Sequence, residues 1–324
     1  MKGRASTTIN NTPIAKWSEI QYTMKSQSIA ILALQETHLD TPHLSQIDAL
    51  YARRLRVFNT SDPNHPGGAA GTALVLNRAL IDTSTCRATT LIPGRALALT
   101  LKWHGDENIT MISIYAPNDA SLHQEFWTNV TDACTMHNIP KPDFVLGDFN
   151  LVEDAIDRAP THTDATPATD TLRDARIRLG IQDTWRHTYP DTKLFTYTSN
   201  HNHHFAQSRL DRIYTARPIE NNLFEWNCRD TSVPTDHRLV SVRYTVQDAP
   251  YIGKGCWTLP LHILNNKDLL RRINEEGIAL TARMESAMTN RTPNNNPQRE
   301  WEAYKNRIRE IAKPLARTEN GKIR

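Results

Sequence analysis

The chain has 324 residues, 39% hydrophobic and 23% charged, enough for one large domain with a buried core plus an appendage. No apolar run approaches the roughly 18 residues of a membrane helix, and the start, "MKGRASTTINNTPIAKW", lacks the apolar stretch of a secretory signal. Net charge is +3, but residues 251–324 hold 14 Lys and Arg against 8 Asp and Glu, while 1–250 hold 24 against 27. The larger part therefore carries no bulk electrostatic signature of nucleic-acid binding, and any such function must come from local chemistry. Cys86, Cys134, Cys228 and Cys256 form no CxxC pair. That spacing argues against a disulfide framework or a zinc knuckle and for ordinary thiols in a reducing, intracellular compartment.

In chain order, the first periodic stretch is 17–25, where Trp17, Ile20, Gln21 and Met24 share one helical face. "IAILALQ" (29–35), "GTALVLN" (71–77), "ALALTLKW" (96–103) and "ITMISIY" (109–115) read as strands. A helix over 121–137 follows, with Leu122, Phe126, Val130 and Ala133 on one stripe and Ser121 as its cap. "DFVLGDF" (143–149) is the next strand, then a helix over 169–179 stopped by Gly180. "LFTYT" (194–198), "RLDRIY" (209–214) and "RLVSVRYTV" (238–246) complete the strands. Strands and helices alternate irregularly, and no glycine-rich phosphate loop follows the first strand. The pattern therefore predicts two packed sheets flanked by helices rather than a doubly wound sheet.

After 248–257 the strand-like runs stop. Two polar, basic helices are predicted, near 266–288 and over 298–313, joined by the linker "TNRTPNNNPQ". The second carries Trp301, Tyr304, Ile308 and Ile311 on one seam, expected to pack against the main domain, and Pro314 is expected to end it.

Chemistry gathers at strand ends. In "KPDFVLGDFN" Asp148 and Asn150 stand two residues apart, which suits a turn or a site holding a water and a phosphate. In "LALQETH" Glu36 follows an apolar strand and is a natural ligand for magnesium. Tyr115 ends the strand in "IYAPND" and could donate to a phosphate oxygen. Asp211 in "SRLDRIY" would be costly to bury without a partner, and "PTDHRLV" offers one in His237, beside Asp236. An Asp bonded to a His fixes the tautomer and favours the imidazolium. Together these residues form a kit for phosphodiester hydrolysis: a metal ligand, a carboxylate for water, an amide for geometry and a charged His.

The order "QETH", "YAPN", "GDFN", "SRLD", "TDH" resembles the endonuclease/exonuclease/phosphatase (DNase I-like) superfamily. It is most similar to the apurinic-type endonuclease domains of non-LTR (LINE-like) retrotransposons. The resemblance covers 1–247, and 248–324 is similar to the basic segment joining endonuclease to reverse transcriptase in those elements. It implies a four-layered α/β sandwich (α/β/β/α) that nicks DNA with magnesium or manganese, leaves a 3′-hydroxyl, works in the nucleus and precedes a reverse transcriptase domain. Carried onto this sequence, Glu36 and Asp236 would bind metal. Tyr115, Asn150 and His237 would contact the scissile phosphate, Asp148 would activate water and Asp211 would orient His237. Arg209, Asn118, His203 and His204 would contact substrate, the two histidines from "TSNHNHHFAQ" (198–207), which takes the place of a hairpin that reaches into a DNA groove in those enzymes and reads as an exposed loop touching DNA, or merely solvated, rather than a zinc site.

The family begins with a strand ending in Asn before a pattern like Ile/Met-x-Gly. Here the chain opens Met1-Lys2-Gly3, as if cut immediately after that Asn, and Asn10 and Asn11 fall too far along to replace it. The resemblance then predicts that the first strand and one amide are missing. Two further readings stand beside the nuclease: a catalytically impaired remnant, and the same fold acting on RNA or a small phosphate ester.

Overall fold

A computed structural model describes residues 7–9, 12–14, 16–103, 107–201, 204–233, 235–245, 259, 263, 264 and 266–322. The chain divides into two units, Met1–Ala249 and Pro250–Arg324. The first begins β1 (Thr7–Ile9), β2 (Thr12–Ile14), α1 (Lys16–Ser26), β3 (Ile31–Gln35), α2 (Thr41–Tyr51), β4 (Leu55–Thr60) and β5 (Thr72–Asn77). Next come β6 (Arg87–Ile92), β7 (Ala96–Lys102), β8 (Asn108–Tyr115), α3 (His123–Met136), β9 (Phe144–Asp148), β10 (Arg158–Ala159) and α4 (Thr166–Leu179). It closes with β11 (Ile181–Gln182), α5 (Thr184–Thr188), β12 (Tyr197–His201), β13 (His204–Ser208), β14 (Asp211–Ala216), β15 (Leu223–Arg229) and β16 (Leu239–Tyr244).

The central sheet has six strands in the order β11-β14-β9-β8-β7-β6. All its pairings are antiparallel except β8 with β9. Because β7 and β8 are buried at nearly every position, both faces are covered. One face, with Ala98, Ile112, Ile114 and Val145, packs on Phe126, Trp127 and Val130 of α3 and Leu172 of α4. The other, with Leu97, Leu99, Met111 and Phe144, packs on Leu74 and Leu76 of β5. Behind β5, Ala73 and Val75 meet Trp17, Ile20 and Met24 of α1 and Ile47 of α2. The layers run helix, sheet, sheet, helix, the four-layered α/β sandwich expected from the sequence. Its second sheet is divided between a three-stranded piece, β3-β5-β4, and a two-stranded piece, β15-β16.

Several elements escaped the sequence reading. Helix α2 buries only Ile47, so its stripe is faint, although Asp40 caps it by accepting from the His43 N–H at 3.0 Å and a proline stands in its first turn. Strands β6 and β15 end their sheets and carry mainly exposed or half-exposed residues, without a clean apolar alternation. The segment 198–207, which the resemblance puts in the place of a hairpin, spans the paired strands β12 and β13, registered Tyr197 to Ser208 through His201 to His204.

The second unit contains α6 (Lys267–Thr289) and α7 (Pro297–Lys322). Pro314 does not end α7, which runs eight residues past it. Ile311, Ala312 and Leu315 share an apolar cluster with Leu269 and Ile273 of α6. That packing, with the Arg283–Glu300 and Arg307–Glu276 pairs, offsets the hydrogen bond that a proline removes. The neighbour this seam finds is therefore α6. No described helix is long and apolar enough to cross a membrane.

Candidate active site

Strand register brings the site together. In the parallel β8–β9 pair Tyr115 lies opposite Asp148, and in the antiparallel β14–β9 pair Asp211 lies opposite the same Asp148. Three polar residues thus stand in a row across three neighbouring strand ends. Gly147 makes the row possible: at φ +143 a Cβ there would meet the Ile114 carbonyl oxygen at 2.0 Å, so only glycine lets β9 lie this close to β8.

After Asp148 the chain turns. Asp148 Oδ1 accepts the Asn150 N–H at 2.9 Å, an Asx turn, and Asn150 adopts a left-handed φ of 44, which asparagine tolerates. The Asn150 side chain donates to the Ala116 carbonyl at 2.9 Å and to Asn118 Oδ1 at 3.0 Å. The turn reading of "GDFN" therefore holds for the backbone, and it is the turn that aims Asp148.

His237 reaches the row from the other side. Its Nδ1 and Asp211 Oδ2 are 2.8 Å apart, and its ring packs on Tyr197 with centroids 4.8 Å apart. One ligand atom each from Asp148, Asp211 and His237 fall within 4.8 Å of one another. Burial opposes charge on His237, but the Asp211 hydrogen bond and the charges of Asp211, Asp148 and Asp236 outweigh it and raise the imidazole to about 9. Asp148 is only 5% exposed. Burial first, then the neighbouring Asp211 charge, lifts its carboxyl to about 7 against the pull of His237 and the Asn150 N–H. Around neutral pH the cluster thus holds a charged imidazole beside a carboxyl poised between its two states.

Glu36 leaves β3 with a left-handed φ of 54, a conformation that costs a non-glycine residue about 1–2 kcal/mol. Gly71 gives it room, since a Cβ there would meet Thr37 Oγ1 at 2.5 Å. The Tyr115 hydroxyl donates to Glu36 Oε1 at 2.8 Å. Burial and that bond hold the phenol well above its usual range. Arg95, which nothing in the sequence singled out, lies 4.7 Å from the Tyr115 ring centroid and donates to the Ala116 carbonyl at 3.2 Å. Glu36 also acts on the Asp148 carboxyl through its charge.

Several sequence expectations change. Tyr115 spends its hydroxyl on Glu36, not on an open phosphate position. Arg209 is not a substrate contact: it is 3% exposed, meets Asp157 at 2.8 and 2.7 Å and Asp183 at 2.5 Å, and lies over the Trp185 ring at 4.9 Å. Those buried carboxylates are its partners, and no local motif in "AID" or "IQD" marks them in advance. Asp236 neighbours His237 and adds to its charge, but it is not among the three residues whose ligand atoms gather. His203 lies outside the described residues, and His204 opens β13. Asn118 does join the site, exposed and tied to Asn150.

The donor set suits a hard divalent cation. Oxygens dominate it, and Glu36 keeps a second carboxylate oxygen beyond the one bonded to Tyr115.

A model of the Endonuclease/Exonuclease/phosphatase family matches residues 19–237. A curated relative, the transposon TX1 uncharacterized 149 kDa protein of Xenopus laevis, is 27% identical over 254 residues, 78% of this chain. The match spans only 18% of that protein's length. Among solved structures, the endonuclease domain of TRAS1, a telomere-specific non-LTR retrotransposon, is similar with a TM-score of 0.53 at 15% identity, covering 72% of this chain and 93% of that one. A 3′ phosphatase from Neisseria bound to product DNA hairpin gives 0.58 at 15% identity, covering 75% and 97%. These structural likenesses establish a shared fold.

Proposed function

The chain belongs to the endonuclease/exonuclease/phosphatase family, and we propose that it hydrolyses DNA phosphodiester bonds, nicking one strand and leaving a 3′-hydroxyl. The observation that carries this reading is the convergence of Asp148, Asp211 and His237 within 4.8 Å, with Glu36 tied to the same strand ends through Tyr115.

Asp148, with its carboxyl near 7, is matched to take a proton from water at neutral pH. The oxygen of that water attacks phosphorus, and the bond to the 3′-oxygen breaks. The phosphate stays on the 5′ end, and the 3′-oxygen takes up a proton. His237, charged and fixed through Nδ1 by Asp211, turns Nε2–H toward the charge that builds on the phosphate oxygens. Both N–H groups of Asn150 are spent inside the protein, so Asn150 acts through Asn118, whose own amide nitrogen is the donor left for a phosphate. Glu36 would hold magnesium or manganese. Such an ion supplies positive charge to the phosphate and the leaving oxygen. Tyr115 keeps Glu36 in place for it.

DNA is favoured over RNA or a small ester by the two transposon-derived relatives and by the β12–β13 hairpin, whose Phe205 is 59% exposed. On this reading the chain is one module of a longer retrotransposon polyprotein with a reverse transcriptase downstream, acting on nuclear DNA. The test compares supercoiled plasmid, abasic duplex, structured RNA and a nitrophenyl phosphate over a magnesium titration, with labelling of the new ends. Metal-dependent conversion of plasmid to nicked circles with 3′-hydroxyl ends supports the proposal. Turnover of RNA or the ester alone, or of nothing by folded protein, overturns it.

A further inference from the structure

The Asp211–His237 bond joins residues 26 apart in the chain, and neither lies in the middle of a paired run. Asp211 is the first residue of β14, and His237 comes just before β16. Around Asp211 the ladder of β14 is one-sided: β9 pairs with it, while β11 pairs no nearer than Thr215. The Phe149 N–H reaches the Leu210 carbonyl at 2.9 Å, so alternation turns the Asp211 N–H away from β9, to the side without a ladder.

Thr196 stands on that side. It is 1% exposed, and its Oγ1 accepts the N–H groups of both Leu210 and Asp211 at 3.0 Å. Its backbone ties two further segments, donating to the Ser208 carbonyl at 2.9 Å and accepting the Arg238 N–H at 2.7 Å. Tyr197, the next residue, forms an isolated antiparallel bridge with His237 and packs its ring on the imidazole. One buried threonine thus grips the backbone of Asp211 with its side chain and the backbone beside His237 with its carbonyl.

We propose that Thr196 is a positioning residue that sets Asp211 against His237 through its hydroxyl. Its effect on turnover rests on the nuclease reading; its effect on the Asp211–His237 bond does not. A hydroxyl oxygen has two lone pairs, one for each N–H, and a buried N–H left without an acceptor is costly enough to move the backbone that carries it. An active-site group displaced by about 1 Å can lose about 100-fold in rate. A role in packing alone makes the opposite demand. Valine would satisfy it by keeping the volume, whereas serine, which keeps the oxygen and drops the methyl, would not.

The test compares the full chain as wild type, Thr196→Val and Thr196→Ser. In EDTA, amide exchange at Leu210 and Asp211 should speed about tenfold or more in the valine variant while β7 and β8 stay protected. The His237 Nδ1 proton, held by Asp211 in the wild type, should give an NMR resonance that the valine variant loses. Serine should keep both signals. With magnesium, valine should lower kcat for plasmid nicking about tenfold or more and move KM less than about threefold, and serine should hold kcat within about threefold of wild type. If the valine variant does not fold, Thr196→Cys, close in volume and only a weak acceptor, takes its place with the same expectations. A wild type that shows both signals but nicks nothing would overturn the nuclease reading while upholding this one, provided valine loses the signals and serine keeps them. A folded valine variant that keeps the Nδ1 resonance and the slow amides, or that nicks at the wild-type rate, would overturn the proposal. So would a serine variant that loses as much as valine.

Discussion

Replacing Asp211 by Asn removes the charge that fixes His237 and leaves its shape. In the wild type the imidazole stands at about 9 against an ordinary 6.5, a preference for the charged ring of about 3 kcal/mol. Burial works the other way, so Asp211 carries most of that preference, with Asp148 and Asp236 contributing less. In Asp211→Asn the ring should titrate at or below 6.5. Ring-carbon NMR shifts of His237, followed from pH 5 to 10 in EDTA, measure both midpoints. The stability sign follows: the raised folded value contributes fully below 6.5 and is lost as pH climbs through about 9. Wild type should therefore exceed the variant by up to about 3 kcal/mol at pH 6, with the gap closing by pH 10. A variant midpoint still above 8, or a wild-type midpoint near 6.5, would refute the assignment of that charge to the Asp211 bond.

Three other substitutions separate roles. His237→Ala should lower plasmid nicking turnover about 100-fold or more while changing DNA affinity little; a loss seen mainly in affinity contradicts a transition-state role. Tyr115→Phe leaves Glu36 without its donor, so half-maximal nicking should need about tenfold more magnesium, and an unchanged requirement would detach Tyr115 from the metal site. Arg209→Ala takes a buried cation from Asp183 and from Asp157, which keeps Arg186, and should cost about 3–5 kcal/mol in denaturant unfolding. Unchanged stability with weakened DNA binding would return Arg209 to the substrate.

The strand cores of this fold are written plainly in the sequence. Runs such as "ALALTLKW" and "ITMISIY" bury almost every residue in β7 and β8, so their signal survives without context. The site was legible for a related reason: its residues stand at the ends of such runs, and register then aligns Tyr115, Asp148 and Asp211. What stayed hidden depends on contacts between distant segments. Arg209 reads as a free cation beside a catalytic motif until Asp157 and Asp183 arrive from 52 and 26 residues away. Tyr115 reads as a phosphate donor until the left-handed turn at Glu36 brings a carboxylate to it. Edge strands such as β6 carry too little apolar pattern to stand out, and Pro314 was judged by local backbone rules that the packing of α7 on α6 overrides.

The most direct measurement is nicking of supercoiled plasmid by wild type and by Asp148→Asn side by side, each shown folded by circular dichroism, with magnesium and with EDTA. Loss of the carboxylate that takes the proton should cut the magnesium-dependent rate about 100-fold or more, and EDTA should abolish it in both proteins. Nicking by the variant at close to the wild-type rate would contradict the account at its centre.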